Sequence, residues 1–231
     1  MGLTNVSISN DQFRILVDYF QHETSKSLSC HEEMQREICS TIVPMAMASQ
    51  HVMAAMLCVA SSHRLSVGLE QTEVNVFKLH AVSARLLQDA IGCATRQDVL
   101  VMALATSLVL CLSNIVSSSS HSEEWGVHLK GTSALIKQLD ESRYRFEKST
   151  RVLLRFYTSL TAIAAGRGIP SDVPLYAVQS DSGMQDYIDD LAGFSTSLKP
   201  IIDAMQALDR SRGQTEIHQL THVPTMGHTF Q

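Results

Sequence analysis

The residues of this chain with chemistry to offer are its ten histidines and five cysteines, and their spacing decides what that chemistry can be. A structural zinc site needs ligand pairs roughly two to four residues apart. Cys30, Cys39, Cys58, Cys93 and Cys111 supply no such pair. Cys30 beside His31 sets two ligand types next to each other without partners at a fixed spacing. His218 and His222, followed by His228, give a His-x3-His step with no second pair to complete a site, and read as part of a polar tail. No metal and no cofactor follow from these patterns. The odd number of scattered thiols, most of them in apolar helical pattern, is unlike a disulfide framework and fits a reducing compartment. The chain also lacks a glycine-rich phosphate loop, a Gly-x-Ser-x-Gly elbow, a His-Glu-x-x-His helix and paired carboxylates on an apolar helix. No catalytic residue is named, and the reading is of a protein that is not an enzyme.

One histidine stands in unusual surroundings. Ser49 to Gly68, SQHVMAAMLCVASSHRLSVG, is apolar nearly all the way round, and His63 lies one turn beyond Val59 on its face. It reads as a hydrogen-bonded core histidine or, alternatively, as a ligand contact. Met45, Met47, Met53 and Met56 nearby are adaptable fillers of apolar space. Trp125 and His128 on a later helix have the same double reading, as helix packing or pocket lining. Met53, Met56, His63, Trp125 and His128 together form the candidate pocket for a small apolar ligand.

The elements that must position these residues are all helical. Ser9 or Asn10 caps a helix with Phe13, Leu16, Val17 and Phe20 at helical steps, and Ser25 to Cys30 reads as a loop. His31 to Val43 suits a short surface helix ending before Pro44. Glu70 to Ile91 places Val74, Phe77, Ala81, Ala84 and Leu87 inward and pairs with the central helix as an antiparallel hairpin. Thr95 with Asp98 makes a capping pair ahead of Val99 to Val116, the most apolar segment. That segment approaches the roughly 20 residues of a membrane span, but Thr106, Ser107, Ser113 and Asn114 interrupt it and no basic or aromatic anchors flank it. It is expected as a core helix, with no membrane contact. Trp125 to Leu139 and Thr150 to Ala165 complete the periodic segments, and Gly131 is expected to permit a close helix contact. The fold class is all-α, a multi-helix bundle of antiparallel helices with a buried central hairpin.

At 231 residues and 45% hydrophobic content the chain has enough apolar side chains for one sizeable core. Its formal net charge of −5 and 18% charged residues leave no footprint for a polyanion, so direct nucleic acid binding is not expected. Met1 to Asn10 has neither the basic region nor the apolar core of a signal peptide.

Several of these segments, in this order, resemble the fungal-specific transcription factor domain. LVDYFQHET (Leu16 to Thr24) is similar to the family's opening motif. QHVMAAMLCVASSHRLS and FKLHAVSARLLQDAI resemble its first apolar helix and the helix after it. In WGVHLKGTSALIKQL, the residues Trp125, His128, Leu129, Gly131, Leu135 and Ile136 match the family's tryptophan helix. The Arg167 to Pro170 corner and LAGFSTSL, with Gly193, Phe194, Ser195 and Leu198, resemble later segments.

The resemblance implies a helical transcription regulator, acting in the nucleus or in nucleus and cytoplasm, with another transcription regulator or a second copy of itself as partner. The family's usual cysteine zinc cluster has no counterpart here, and the chain is short against the family pattern. The expected organisation is one helical domain over residues 1–211 and a flexible tail over 212–231. A core-rich bundle curtailed in this way should leave an apolar face near Phe194, Ile201, Ile202 and Met205, the candidate interface. The other reading is a small helical carrier of an apolar metabolite with no part in transcription.

Overall fold

The computed structural model describes residues 8–28, 32–69, 75–92, 96–117, 124–139 and 147–166. Helix α1 (Asn10–Tyr19) starts in a capping box, with Ser9 Oγ accepting from the Gln12 amide and Gln12 Oε1 accepting from the Ser9 amide. It does not stop at Thr24. A π-helical turn (Phe20–Thr24) and a short α turn (Ser25–Ser27) carry it into the segment expected as a loop. Buried Phe20 and Thr24 hold that extension to the core, and the Ser25 and Ser27 hydroxyls donate to the Gln21 and Thr24 carbonyls at 2.7 Å.

Helix α2 (Glu32–Ala48) runs straight through Pro44, against the expected stop. A proline inside a helix costs about 3 kcal/mol through its missing N–H and its clash with the preceding turn. Burying a Met or Ile side chain returns roughly 1.5–3 kcal/mol each. Ile42, Met45 and Ala46 are all buried around Pro44, so packing outweighs the break. The helix ends instead at Ser49, whose extended backbone (φ −140°, ψ 128°) separates it from helix α3 (Gln50–Ser66) by one residue.

Helix α3 is the centre of the molecule. Every residue from Val52 to Ser62 is buried. Its C-terminus closes in a Schellman motif: the Leu69 amide donates to the Arg64 carbonyl at 2.9 Å and the Gly68 amide to the Leu65 carbonyl at 3.1 Å. Gly68 sits at φ +76°, where a side chain would be strained.

Helix α4 (Val76–Gly92) runs antiparallel to α3, as two contacts fix: Cys58 Sγ donates to the Val76 carbonyl and Ser83 Oγ to the His51 carbonyl. The expected hairpin is therefore present, but α4 is rotated from its expected setting. Leu79, Ser83 and Leu87 face inward, while Phe77 is 84% exposed and Ala81 also faces solvent. Ser83 explains the rotation, because its small side chain lets the α3 backbone come close and its hydroxyl donates to a carbonyl there. A count of apolar residues passes over such a position.

Helix α5 (Gln97–Val116) has Ala103 to Ser113 buried without a break. Its first turn is organised by Arg96 forking onto the Asp98 carboxylate at 2.7 and 3.1 Å rather than by a side-chain cap, and Thr95 lies outside the described residues. The helix is long and apolar enough to cross a membrane, yet 72% of its most apolar window is buried against other helices. Helix α6 (Glu124–Gln138) packs antiparallel to α5, with Ser107 Oγ donating to the His128 carbonyl and Cys111 Sγ to the Trp125 carbonyl. Helix α7 (Lys148–Gly166) lays Val152, Leu153, Phe156, Tyr157 and Leu160 on the core and is tied to α2 by Arg155 Nη1 on Glu37 Oε2 at 3.0 Å. Among the described residues there is no strand, so the fold is all-α. Phe194, Ile201, Ile202 and Met205 lie outside the described residues, as does the tail.

The two most buried helices are not sequence neighbours. His51 of α3 meets Thr106 of α5, and Cys58 meets Ser113, so the two helices run parallel with α4 as the crossover between them.

Candidate functional site

The polar groups of this interior lie along the helix seams. Between α3 and α5, Ser113 Oγ stands 2.8 Å from Ser62 Oγ and 3.2 Å from Cys58 Sγ. Burial pushes the Cys58 thiol up to about 11 against the smaller opposing effect of those two hydroxyls, and pushes Cys111 up to about 12. Both are inert thiols that satisfy polar neighbours. Cys39, Cys58 and Cys111 are free, and Cys30 and Cys93 lie outside the described residues. Between α5 and α6, Thr132 Oγ1 stands 2.9 Å from Ser107 Oγ and 2.8 Å from the His128 carbonyl. Gly131 beside it is exposed, and a methyl group there would meet only Ser107 Oγ, at an ordinary 3.9 Å. The expected close approach is made by hydroxyl residues instead.

Three contacts made by histidines join helices across these seams. At the start of α3, His51 Nδ1 lies 2.6 Å from Thr106 Oγ1, and burial holds its pKa below the ordinary histidine value. At the other end, His63 Nδ1 meets the Tyr19 hydroxyl of α1 at 3.1 Å, with Arg64 stacked 5.0 Å over the Tyr19 ring. Burial lowers the His63 pKa and Glu23 opposes it; burial raises that of Tyr19, offset in part by Arg64. The third contact joins α4 to α6. His80 Nε2 and His128 Nε2 stand 3.2 Å apart with their rings edge to face. Burial first, and His80 second, bring His128 down to about 4.

The structure distributes the five candidate pocket residues over this framework. Met53 and Met56 are buried in the α3 core, and Trp125 is buried on α6 with its Nε1 hydrogen lacking an acceptor. His63 faces α1, whereas His128 faces α4 at the level of Thr106, Ser107 and hence His51. Twelve residues of helix at 1.5 Å each put His51 and His63 about 18 Å apart. His63 and His128 therefore belong to different ends of the bundle. Sequence reasoning passed over His51, His80 and Tyr19 as partners. The signal for His80 was its place next to buried Leu79, which the inward assignment of Phe77 obscured. His22, expected on a solvated face, is exposed and pairs with Asp18 on its own helix. Among the described residues no three metal-ligating side chains gather at one point.

No characterised protein and no solved structure matches the chain significantly. The family model of the fungal specific transcription factor domain matches residues 14–228, nearly the whole chain, and it describes a domain of transcription regulation rather than an enzyme family. The chain belongs to the fungal specific transcription factor domain family.

Proposed function

We propose that this domain regulates transcription in the nucleus through protein contacts rather than by holding duplex DNA itself. The observation that carries the reading is charge. The chain is acidic, at −5, and several of its cations are engaged internally: Arg155 with Glu37, Arg96 with Asp98, Lys26 with Glu23 and Arg64 over Tyr19. Affinity for a duplex rests on neutralising phosphates with a basic stripe. Another transcription regulator or a second copy of this chain is then the partner through which a regulatory domain of this kind acts. The apolar run carrying Phe194, Ile201, Ile202 and Met205 is the contact segment in this reading, since large exposed apolar patches mark interaction sites.

Sedimentation of the purified chain and of a Phe194→Asp, Ile202→Asp variant tests this. Association in the parent and its loss in the variant, at unchanged helical content, are expected. A monomer at high concentration that captures no regulator from nuclear extract would overturn the reading, as would a salt-sensitive, sequence-selective shift of duplex DNA by the chain.

A further inference from the structure

The His80 and His128 pair is arranged as two ligands of one ion. Imidazole is a preferred ligand of Zn²⁺, Ni²⁺ and Cu²⁺, and a Zn–N bond is about 2.0–2.1 Å. Two such bonds at the tetrahedral angle place the nitrogens about 3.3 Å apart. The two Nε2 atoms stand at 3.2 Å, edge to face, on two helices that both pack on α5 and approach each other at few other points. We propose that His80 and His128 form a bidentate site for a divalent transition ion, which clamps α4 to α6 in place of the hydrogen bond the two rings share.

The site has the features such an ion requires. Both rings are half-buried, which limits competition from bulk water while leaving a path for the ion. Thr132, Ser107 and the His128 carbonyl fix the α6 backbone beside the ring, so its position does not depend on the ion. Among the described residues no third His, Cys, Asp or Glu joins the pair. With two protein ligands the site binds more weakly than a closed structural zinc site. In balance, two neutral imidazoles give up one shared N–H···N bond, the ring that donated it moves its proton from Nε2 to Nδ1 by exchange with solvent, and both Nε2 lone pairs then bind the dication.

The full chain, stripped with a chelator, is titrated with Zn²⁺ while its melting temperature is followed. A rise of several degrees that a chelator reverses is expected, because a ligand held by the native state alone stabilises it by mass action. His80→Gln and His128→Gln should each abolish that rise and weaken zinc binding by roughly tenfold or more. A His218→Gln, His222→Gln variant should keep both, which separates the pair from the tail histidines. If either single variant fails to fold, the parent chain still decides. Zinc should slow carbethoxylation of His80 and His128 selectively, as read residue by residue by mass spectrometry. Unchanged rates at these two histidines, no zinc-dependent rise, or a rise that survives His80→Gln would overturn the proposal.

Discussion

Helices α3 and α4 have the same length and are neighbours in chain and in space, yet they are built on opposite terms. Helix α3 buries eleven consecutive residues, from Val52 to Ser62, and any rotation about its axis would bury the same kinds of side chain. Helix α4 buries Leu79, Ser83 and Leu87 and leaves Phe77 almost wholly in solvent. Composition alone sets the depth of the first. The orientation of the second is set by its partners, chiefly by a serine that donates to a carbonyl of the α3 backbone close beside it.

The largest test of this difference removes one large apolar side chain from each helix. Leu57→Ala in α3 should cost about 2–5 kcal/mol, the range for a fully buried leucine. Phe77→Ala in α4 should stay within about 0.5 kcal/mol despite deleting a larger side chain. Denaturant melts of both variants decide it, and equal losses would show that Phe77 is covered and the rotation of α4 is wrong.

A smaller effect sharpens the contrast between the inert interior of α3 and its two ends. The pKa values of His51 and His63 are both depressed by burial. Over the window opening at the unfolded value, near 6.5, the unfolded chain binds protons that the folded chain refuses. Stability therefore falls as pH drops below about 6.5 and levels off once the folded histidines titrate. Thermal melts from pH 7.5 to 4.5 should show this acid limb, and a His51→Phe variant should show a shallower one. The buried thiols titrate far above this window and contribute nothing to it.

The smallest effect compares two glycines. Gly131→Ala should stabilise the chain by about 0.5–1 kcal/mol, because the position is helical and a methyl group meets nothing closer than 3.9 Å. Gly68→Ala should destabilise by about 1 kcal/mol although the space around it is open, since φ +76° is a strained setting for an alanine. Urea melts of the pair would read both signs, and a gain at Gly68 would remove the Schellman closure from the account.

How far the fold was legible in the sequence follows the same division. The apolar girth of Val52 to Ser62 and of the segment after Asp98 predicts two core helices, and both are found. The Ser9 cap and the Leu153, Phe156, Leu160 stripe are local patterns that tertiary structure leaves intact. What was not legible depends on a partner. Pro44 reads as a stop until the burial of Ile42 and Met45 on either side is known. Gly131 reads as a contact until its neighbour Thr132 is seen to make it. The candidate site was legible only in residue type. His63 and His128 stand out by their surroundings, but no spacing along the chain says that one meets Tyr19 and the other His80.

The parallel pairing of α3 and α5 also governs how the chain is made. Thr106 follows His51 by 55 residues, and synthesis runs at about 5–20 residues per second, so α3 leaves the ribosome some 3–11 seconds before its main partner. For that interval the most apolar face of the nascent chain has only α1, α2 and then α4 to lie against. The core contact is non-local and cannot form early, so folding is slowed by chain closure rather than by helix formation. The burden of keeping the new chain from aggregating falls on whatever holds α3 during those seconds.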